Sequence, residues 1–517
     1  MNILEQTKKK MPNDLNLIIF FSLITVFIHF LSNALFAYGI FRDEYYYLAC
    51  SNHLALGYVD QPPLSIYLLH ISRMLFGDSL FALRIFPALA AGLIVFITGQ
   101  MVRKLGGGKT ALIIALISIT AAPFALAGCT SFSMNCFDGL IWVLAAYLFI
   151  LIIDDTKPRL WLWLGLVIGF GLLNKISMAW FAIGLAAALI LTHQRKHLAS
   201  KWPYLAGMIA FIIFSPYIIW NVMNQFPHLE FMRNATSLKY NTLSMMDFLR
   251  GQLGVANPLA LPLWLAGLYF YFFNREGKRF RSLGIIYITT FMILLLNGHS
   301  KAEYLSWAYP MLFAAGAVQV EQISVKKRMG WVKYALPACI ALGGLVIAPM
   351  VIPLLPVRTY IGYTNFLGIS LKSPEGKKLT QLHQFYADMF GWENMVATVA
   401  RVYNTLSPTE QAKCTIIADN YGEAGAIDYH GEKYHLPKAI CGHNNYWLWG
   451  PRGASGEVVI RLGGSIEAIK ESYKEAIQAD IFKDEYCMPY ENNQPVYICK
   501  GRFTPLKDEW ADFKHYE

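Results

Sequence analysis

Long apolar stretches recur through the first two thirds of the chain, separated by short basic runs, and no other feature restricts its possible folds so severely. A hydrocarbon core of roughly 30 Å asks for about 20 apolar residues per crossing helix. About eleven stretches qualify, at approximately 15–39, 80–101, 110–126, 136–153, 161–173, 176–191, 202–222, 258–273, 283–296, 304–320 and 331–355. Composition agrees, since 55% of the 517 residues are hydrophobic and 15% are charged, whereas soluble domains run near 45–50% apolar and about 25% charged. A water-soluble enzyme is excluded. So are disorder, collagen and a small disulfide scaffold, because aromatic content is 15%, glycine has no three-residue period and eight cysteines are too sparse. Charge is divided along the chain. Residues 1–355 hold 27 Lys and Arg against 14 Asp and Glu, and residues 356–517 hold 17 against 20. The basic residues lie in short runs between apolar stretches and form no basic face, so nucleic acid is not an expected partner.

Sidedness follows from those runs. With Lys8, Lys9 and Lys10 in the cytoplasm, every second connection should be basic, and these carry Arg103, Lys104 and Lys109; Lys157 and Arg159; Arg195, Lys196 and Lys201; Arg275, Lys278, Arg279 and Arg281; then Lys326, Lys327, Arg328 and Lys333. The rule requires the apolar run 161–191 to be two spans split at Asn174 and Lys175. It also makes 64–76 an interfacial helix on the outer surface and not a crossing. The first span reads as an anchor and not a cleaved signal, for no small-residue cleavage site precedes the end of its apolar run. His29 within it reads as a hydrogen-bonded packing residue.

The expected fold is a polytopic α-helical membrane protein with a C-terminal soluble α/β domain: residues 1–355 form the transmembrane module with a first outer loop at 40–79, and residues 356–517 form the outer domain. In the tail, helical periodicity runs over 384–405 and 466–477, and β-like runs appear at 414–418, 458–462 and 496–499. Cys414, Cys441, Cys487 and Cys499 would then occupy an oxidising compartment. Four cysteines allow three pairings. A turn between Pro489 and Pro495, joining two extended arms, favours Cys487 with Cys499 and leaves Cys414 with Cys441.

Ionisable residues near a membrane are costly, so those at the outer ends of spans are the first candidates for chemistry. The acids are Asp43, Glu44, Asp60, Asp78, Asp138, Glu230, Asp247 and Glu303; the cations are Arg42, Arg73, Lys175, Arg233, Lys239, Arg250 and Lys301. Such a set suits a phosphate-bearing substrate whose lipid tail stays in the bilayer. A transporter or lipid flippase is the alternative, and it would place its charged residues near the midplane. A noncatalytic assembly partner is a third reading. Asp43 and Asp138 also have a structural reading as helix N-caps, and Lys175 and Lys301 as snorkelling residues. Tyr446, Trp447 and Trp449 offer either a sugar-stacking surface or core.

The run Phe41-Arg42-Asp43-Glu44-Tyr45-Tyr46-Tyr47, followed by Gly57-Tyr58-Val59-Asp60-Gln61-Pro62-Pro63-Leu64, Phe76-Gly77-Asp78-Ser79 and Leu83-Arg84, resembles glycosyltransferase family 39. Asp138 opening a span, Gly171-Leu172-Leu173-Asn174-Lys175, and Lys301 with Tyr304 before Tyr309-Pro310 extend the resemblance across most of residues 15–320. The family has the GT-C fold and is related to protein O-mannosyltransferases and lipid A aminoarabinose transferases. The resemblance implies transfer of a sugar from a polyprenyl-phosphate donor to an acceptor hydroxyl on the periplasmic side of a bacterial inner membrane, with inversion. The acceptor is an envelope lipid, polysaccharide or protein. Asp43 matches the family's catalytic position, and a carboxylate base suits a hydroxyl nucleophile. Asp138 is the second catalytic candidate. Glu44, Tyr47, Asp60, Gln61, Arg84, Arg250, Lys301 and Tyr304 are candidates for substrate binding; Lys301, Arg84 and Arg250, in that order, would stabilise the phosphate leaving group. Gln61 departs from the family, where many members place a Lys, and brings a donor without a charge. The tail segment Asn420-Tyr421-Gly422-Glu423-Ala424-Gly425-Ala426 resembles tails of bacterial members, with no role implied. No cofactor is expected, and a divalent ion is left open, since no outer loop shows Asp-x-Asp and no Cys or His spacing suits zinc.

Overall fold

In the computed structural model, the described residues are 11–36, 38–154, 157–239, 243–326, 329–369 and 377–517. Lys8, Lys9, Lys10, Lys327 and Arg328, and the side chains of Lys239 and Lys326, lie outside that set. The chain divides into two units, the first comprising Met1–Ala37, Phe76–Ile219 and Thr242–Pro356, the second Tyr38–Leu75, Trp220–Asn241 and Val357–Glu517.

Among the described residues, six helices are long and apolar enough to cross a bilayer: Asp14–Leu35, Leu80–Lys104, Met134–Asp154, Trp202–Met223, Gly277–Asn297 and Val332–Val351. A seventh crossing results if Met245–Val255 and Pro258–Phe272, which meet at 91°, count as one span. That bend has a local cause. Pro258 cannot continue the preceding helix, and Asn257 takes a left-handed φ of 69°. Its amide then accepts from Leu259 N–H at 3.1 Å and donates to the Ile340 carbonyl at 3.0 Å.

Other apolar stretches form shorter helices: Lys109–Thr120, Leu160–Asn174 and Met178–Leu191, of 12, 15 and 14 residues. Twelve residues at a rise of 1.5 Å span only about 18 Å, short of the hydrocarbon core. The break between the latter two falls at Asn174 and Lys175, where Lys175 is extended and Asn174 donates to the Met134 carbonyl at 2.8 Å. Helices Leu261–Phe272 and Tyr309–Lys326 pack through glycine, as membrane helices commonly do. A Cβ at Gly267 would collide with the Leu312 carbonyl, and one at Gly316 with the Leu263 carbonyl. His29 departs from expectation: it is buried, and among the described residues neither ring nitrogen has a hydrogen-bond partner.

The second unit contains a four-stranded sheet of β1 (Cys414–Ile417), β2 (Val458–Leu462), β3 (Tyr473–Phe482) and β4 (Gln494–Arg502), in the order β1-β2-β4-β3. β1 and β2 are parallel, and the other two pairings are antiparallel. All four residues of β1 are buried, as expected of a strand covered on both faces. The sheet's core gathers Ile417, Ile440, Val459, Tyr497, Cys499 and Trp510.

Three expectations for the tail are corrected. The helical stretch 384–405 is two helices, Gln384–Ala387 and Trp392–Tyr403, separated at Gly391, whose φ of 89° favours glycine. The stretch 466–477 is helical only over Ile466–Ser472, because Tyr473 begins β3 and pairing with β4 overrides the helix-forming Lys-Glu-Ala run. All four tail cysteines are free and buried. Cys499 lies opposite Val459 and Ala476 in the sheet interior, and Cys487 is in no strand, so the two extended arms needed to face them do not exist.

Candidate functional site

Helix Arg42–Asn52 begins two residues earlier than a cap at Asp43 would require. Phe41 occupies the N-cap position; the Glu44 carboxylate accepts from Phe41 N–H at 2.8 Å, and Glu44 N–H donates to the Phe41 carbonyl at 2.8 Å. Glu44, fully buried, therefore closes the first turn. Asp43 is relieved of capping. Its Oδ1 accepts from the Tyr421 hydroxyl at 2.8 Å, and among the described residues Oδ2 has no hydrogen-bond partner.

Other tail groups hold the same helix within the second unit. Arg42 N–H donates to the Asp388 carbonyl at 3.0 Å, and the Arg42 guanidinium donates to the Tyr490 hydroxyl at 2.7 Å and lies 5.0 Å from the Tyr421 ring. The Tyr45 hydroxyl is 2.8 Å from His430 Nε2. The Tyr46 hydroxyl lies 2.8 Å from Asp60 Oδ1 and 3.1 Å from Asn445 Oδ1; its single proton goes to the nearer, charged oxygen. Asn445 Oδ1 also accepts from Val59 N–H at 2.7 Å, which fixes the backbone beside Asp60. Burial first, then the Asp43 and Asp60 charges, push the Tyr47 hydroxyl well above the usual phenol range. Gln61 is fully buried, and among the described residues neither amide atom is hydrogen-bonded.

The remaining sequence candidates belong to the first unit. Asp138 stands in the second turn of Met134–Asp154, too deep to be its N-cap; it is 3% exposed, Oδ2 accepts from the Ser177 hydroxyl at 3.0 Å, and Oδ1 has no partner among the described residues. Lys175 donates to Asn135 Oδ1 at 2.7 Å and lies 5.5 Å from the Tyr304 ring, which also meets Trp180. Lys301 is the N-cap residue of the short helix Ala302–Ala308. Arg250 is exposed on Met245–Val255. Arg84, 1% exposed, donates to Asn33 Oδ1 at 2.9 Å, a bond that ties two helices. Trp449 stacks on His53 at 4.4 Å within the second unit, while Trp447 exchanges indole-to-carbonyl bonds with Trp510. Among the described residues no three His, Cys, Asp or Glu side chains gather as a metal-holding group.

Tyr421, Asn445 and His430 are the residues that sequence reasoning missed. Only Tyr421 left a signal, through the tail segment that begins at Asn420.

Residues 60–220 match the family described as dolichyl-phosphate-mannose-protein mannosyltransferase, which is less than half of the chain. Among curated proteins no sequence matches. Among solved structures, ArnT from Cupriavidus metallidurans bound to undecaprenyl phosphate is similar with a TM-score of 0.62 at 12% identity, covering 93% of this chain and 97% of that one. Its apo form gives 0.59 at 14% identity, with the same coverage. The archaeal oligosaccharyltransferase AglB from Archaeoglobus fulgidus, in complex with an inhibitory peptide and a dolichol-phosphate, gives 0.53 at 14% identity over 87% of this chain and 69% of that one. At such identities the likeness is one of fold, and together with the family match it makes the chain a GT-C-fold protein that resembles glycosyltransferase family 39.

Proposed function

We propose that this chain is an integral membrane glycosyltransferase that moves a sugar from a polyprenyl-phosphate donor to the hydroxyl of an envelope lipid, polysaccharide or protein, with inversion. In this reading the membrane module crosses about eleven times, residues 356–517 form a soluble α/β domain, and the reaction takes place on the periplasmic face of a bacterial inner membrane. The observation that carries it is Asp43, a first-turn carboxylate that caps nothing, has one oxygen engaged by a donor, and keeps the other for an incoming hydroxyl. An acceptor hydroxyl becomes nucleophilic as that oxygen takes its proton and the oxygen–carbon bond forms. The donor phosphate leaves with the electron pair of the broken bond and needs cations or donors around it. Lys301 and Arg250 fit that task better than Arg84, which is buried on Asn33. Within the second unit, Gln61 can offer its amide N–H to a phosphate without charge, and Asp60 and Tyr47 would line the sugar. The undecaprenyl phosphate and dolichol-phosphate of the structural neighbours support the donor class.

The test is label transfer by purified full-length protein from the radiolabelled polyprenyl-phosphate sugar fraction of bacterial membranes to envelope extract. Asp43→Asn keeps size but loses proton acceptance, and turnover should fall about 100- to 10,000-fold, as is usual for loss of a general base. Near-parental turnover in Asp43→Asn together with collapse in Asp138→Asn would move the base to Asp138.

A further inference from the structure

The tail segment Asn420–Ala426 is built residue by residue to present one side chain to helix Arg42–Asn52. Asn420 Oδ1 accepts from Gly422 N–H at 2.9 Å and Glu423 N–H at 3.1 Å, which starts helix Tyr421–His430 at a fixed point. Glycine lets that helix come close: a Cβ at Gly425 would stand 2.7 Å from the Tyr45 carbonyl, and one at Gly422 would stand 2.6 Å from Arg42 Cγ. Ala424 and Ala426 are fully buried. Glu423 anchors the first turn from inside, accepting from Asp419 N–H and from the Gln494 amide, both at 2.8 Å. Tyr421 is left facing Asp43, and its ring is held by Arg42 at 5.0 Å, His443 at 4.4 Å and Tyr46 at 4.8 Å.

From this arrangement we infer that Tyr421 is the positioning residue of Asp43, its hydroxyl fixing the plane of the carboxylate and deciding which oxygen meets the acceptor. The inference rests on the reading of Asp43 as the base. An aspartate's terminal torsion is broad and nearly two-fold, so an unheld carboxylate spends much of its time misdirected. A donor on Oδ1 removes that freedom and leaves Oδ2 as the proton acceptor. Tyr421 surrenders no proton in the reaction. Burial first, then the Asp43 charge, keep its hydroxyl well above the usual phenol range, so it stays a donor at any working pH.

Tyr421→Phe removes the donor and keeps the ring. With the same labelled donor fraction, its kcat should fall about 10- to 100-fold, the scale of a misplaced catalytic group, while the apparent KM for donor stays within about twofold. Its thermal midpoint and its binding of undecaprenyl phosphate should match the parent. Parental kcat in Tyr421→Phe, with Asp43→Asn inactive, would overturn this inference alone. A lower midpoint or lost undecaprenyl phosphate binding would overturn it in favour of a purely structural tyrosine. Parental turnover in Asp43→Asn would instead overturn the base reading beneath it.

Discussion

Asp43 and Glu44 are adjacent acids with opposite tasks, and substitution should separate them. Glu44 is fully buried on the Phe41 N–H, so Glu44→Ala should cost about 1–2 kcal/mol of stability, the upper range for a lost helix-start partner, while Asp43→Ala should cost much less. Thermal unfolding of the two purified variants measures the difference; equal losses would mean that Asp43 shares the capping after all. The cysteines make a second test at this scale. All four in the tail are free and buried, so unfolding under nonreducing conditions should expose four alkylatable thiols there, and a disulfide-linked tail peptide would contradict that. The first-loop acids were legible in the sequence because their motif is contiguous. Tyr421 was not, since 378 residues separate it from Asp43 and nothing in local spacing joins them.

Elements were readable where a single pattern governed them. The apolar stretches became helices because hydrophobicity alone decides a membrane-length segment. Strand β3 was misread because its sequence favours helix, and only its long-range partner β4 makes it a strand. Its charged residues Lys474, Glu475 and Asp480 and the irregularity between Gln478 and Asp480 suit an outer edge of the sheet. Between helix Tyr421–His430 and the segment before β4, Glu423 and Glu491 form a buried carboxyl pair. Burial first and mutual repulsion second raise Glu491 well above the ordinary value near 4.5, so that it keeps a proton and donates it to Glu423, itself raised chiefly by burial. The folded state thus binds a proton that the unfolded chain releases. Stability from this pair is full below about pH 4.5 and is lost as pH climbs through the folded value. The thermal midpoint of the parent should fall between pH 5 and pH 8, and Glu491→Gln, which keeps a donor and cannot ionise, should flatten that slope; an unchanged slope would remove the pair from the account.

For the whole molecule, sidedness is the prediction that sequence makes and geometry does not. If the basic connections face the cytoplasm, a reporter active only in the periplasm should be on when fused after Tyr363 and off when fused after Gln194. The reverse at either point would dismantle the eleven-span reading. A mostly helical chain with several membrane-length apolar helices was legible from composition and spacing, since a chain with 15% charged residues and repeated apolar stretches has few other solutions. The partnership of the first loop with the tail was not, because it depends on matched surfaces such as Gly425 against Tyr45, and those have no one-dimensional signature. That partnership sets a clock. Asp43 leaves the ribosome long before Tyr421, and at about 5–20 residues per second the 378 residues between them take roughly 20–75 s to make. If Tyr421 aims Asp43 as inferred, the nascent chain carries that acid without its hydroxyl partner throughout that interval, and a product truncated before Tyr421 should turn over no faster than Tyr421→Phe.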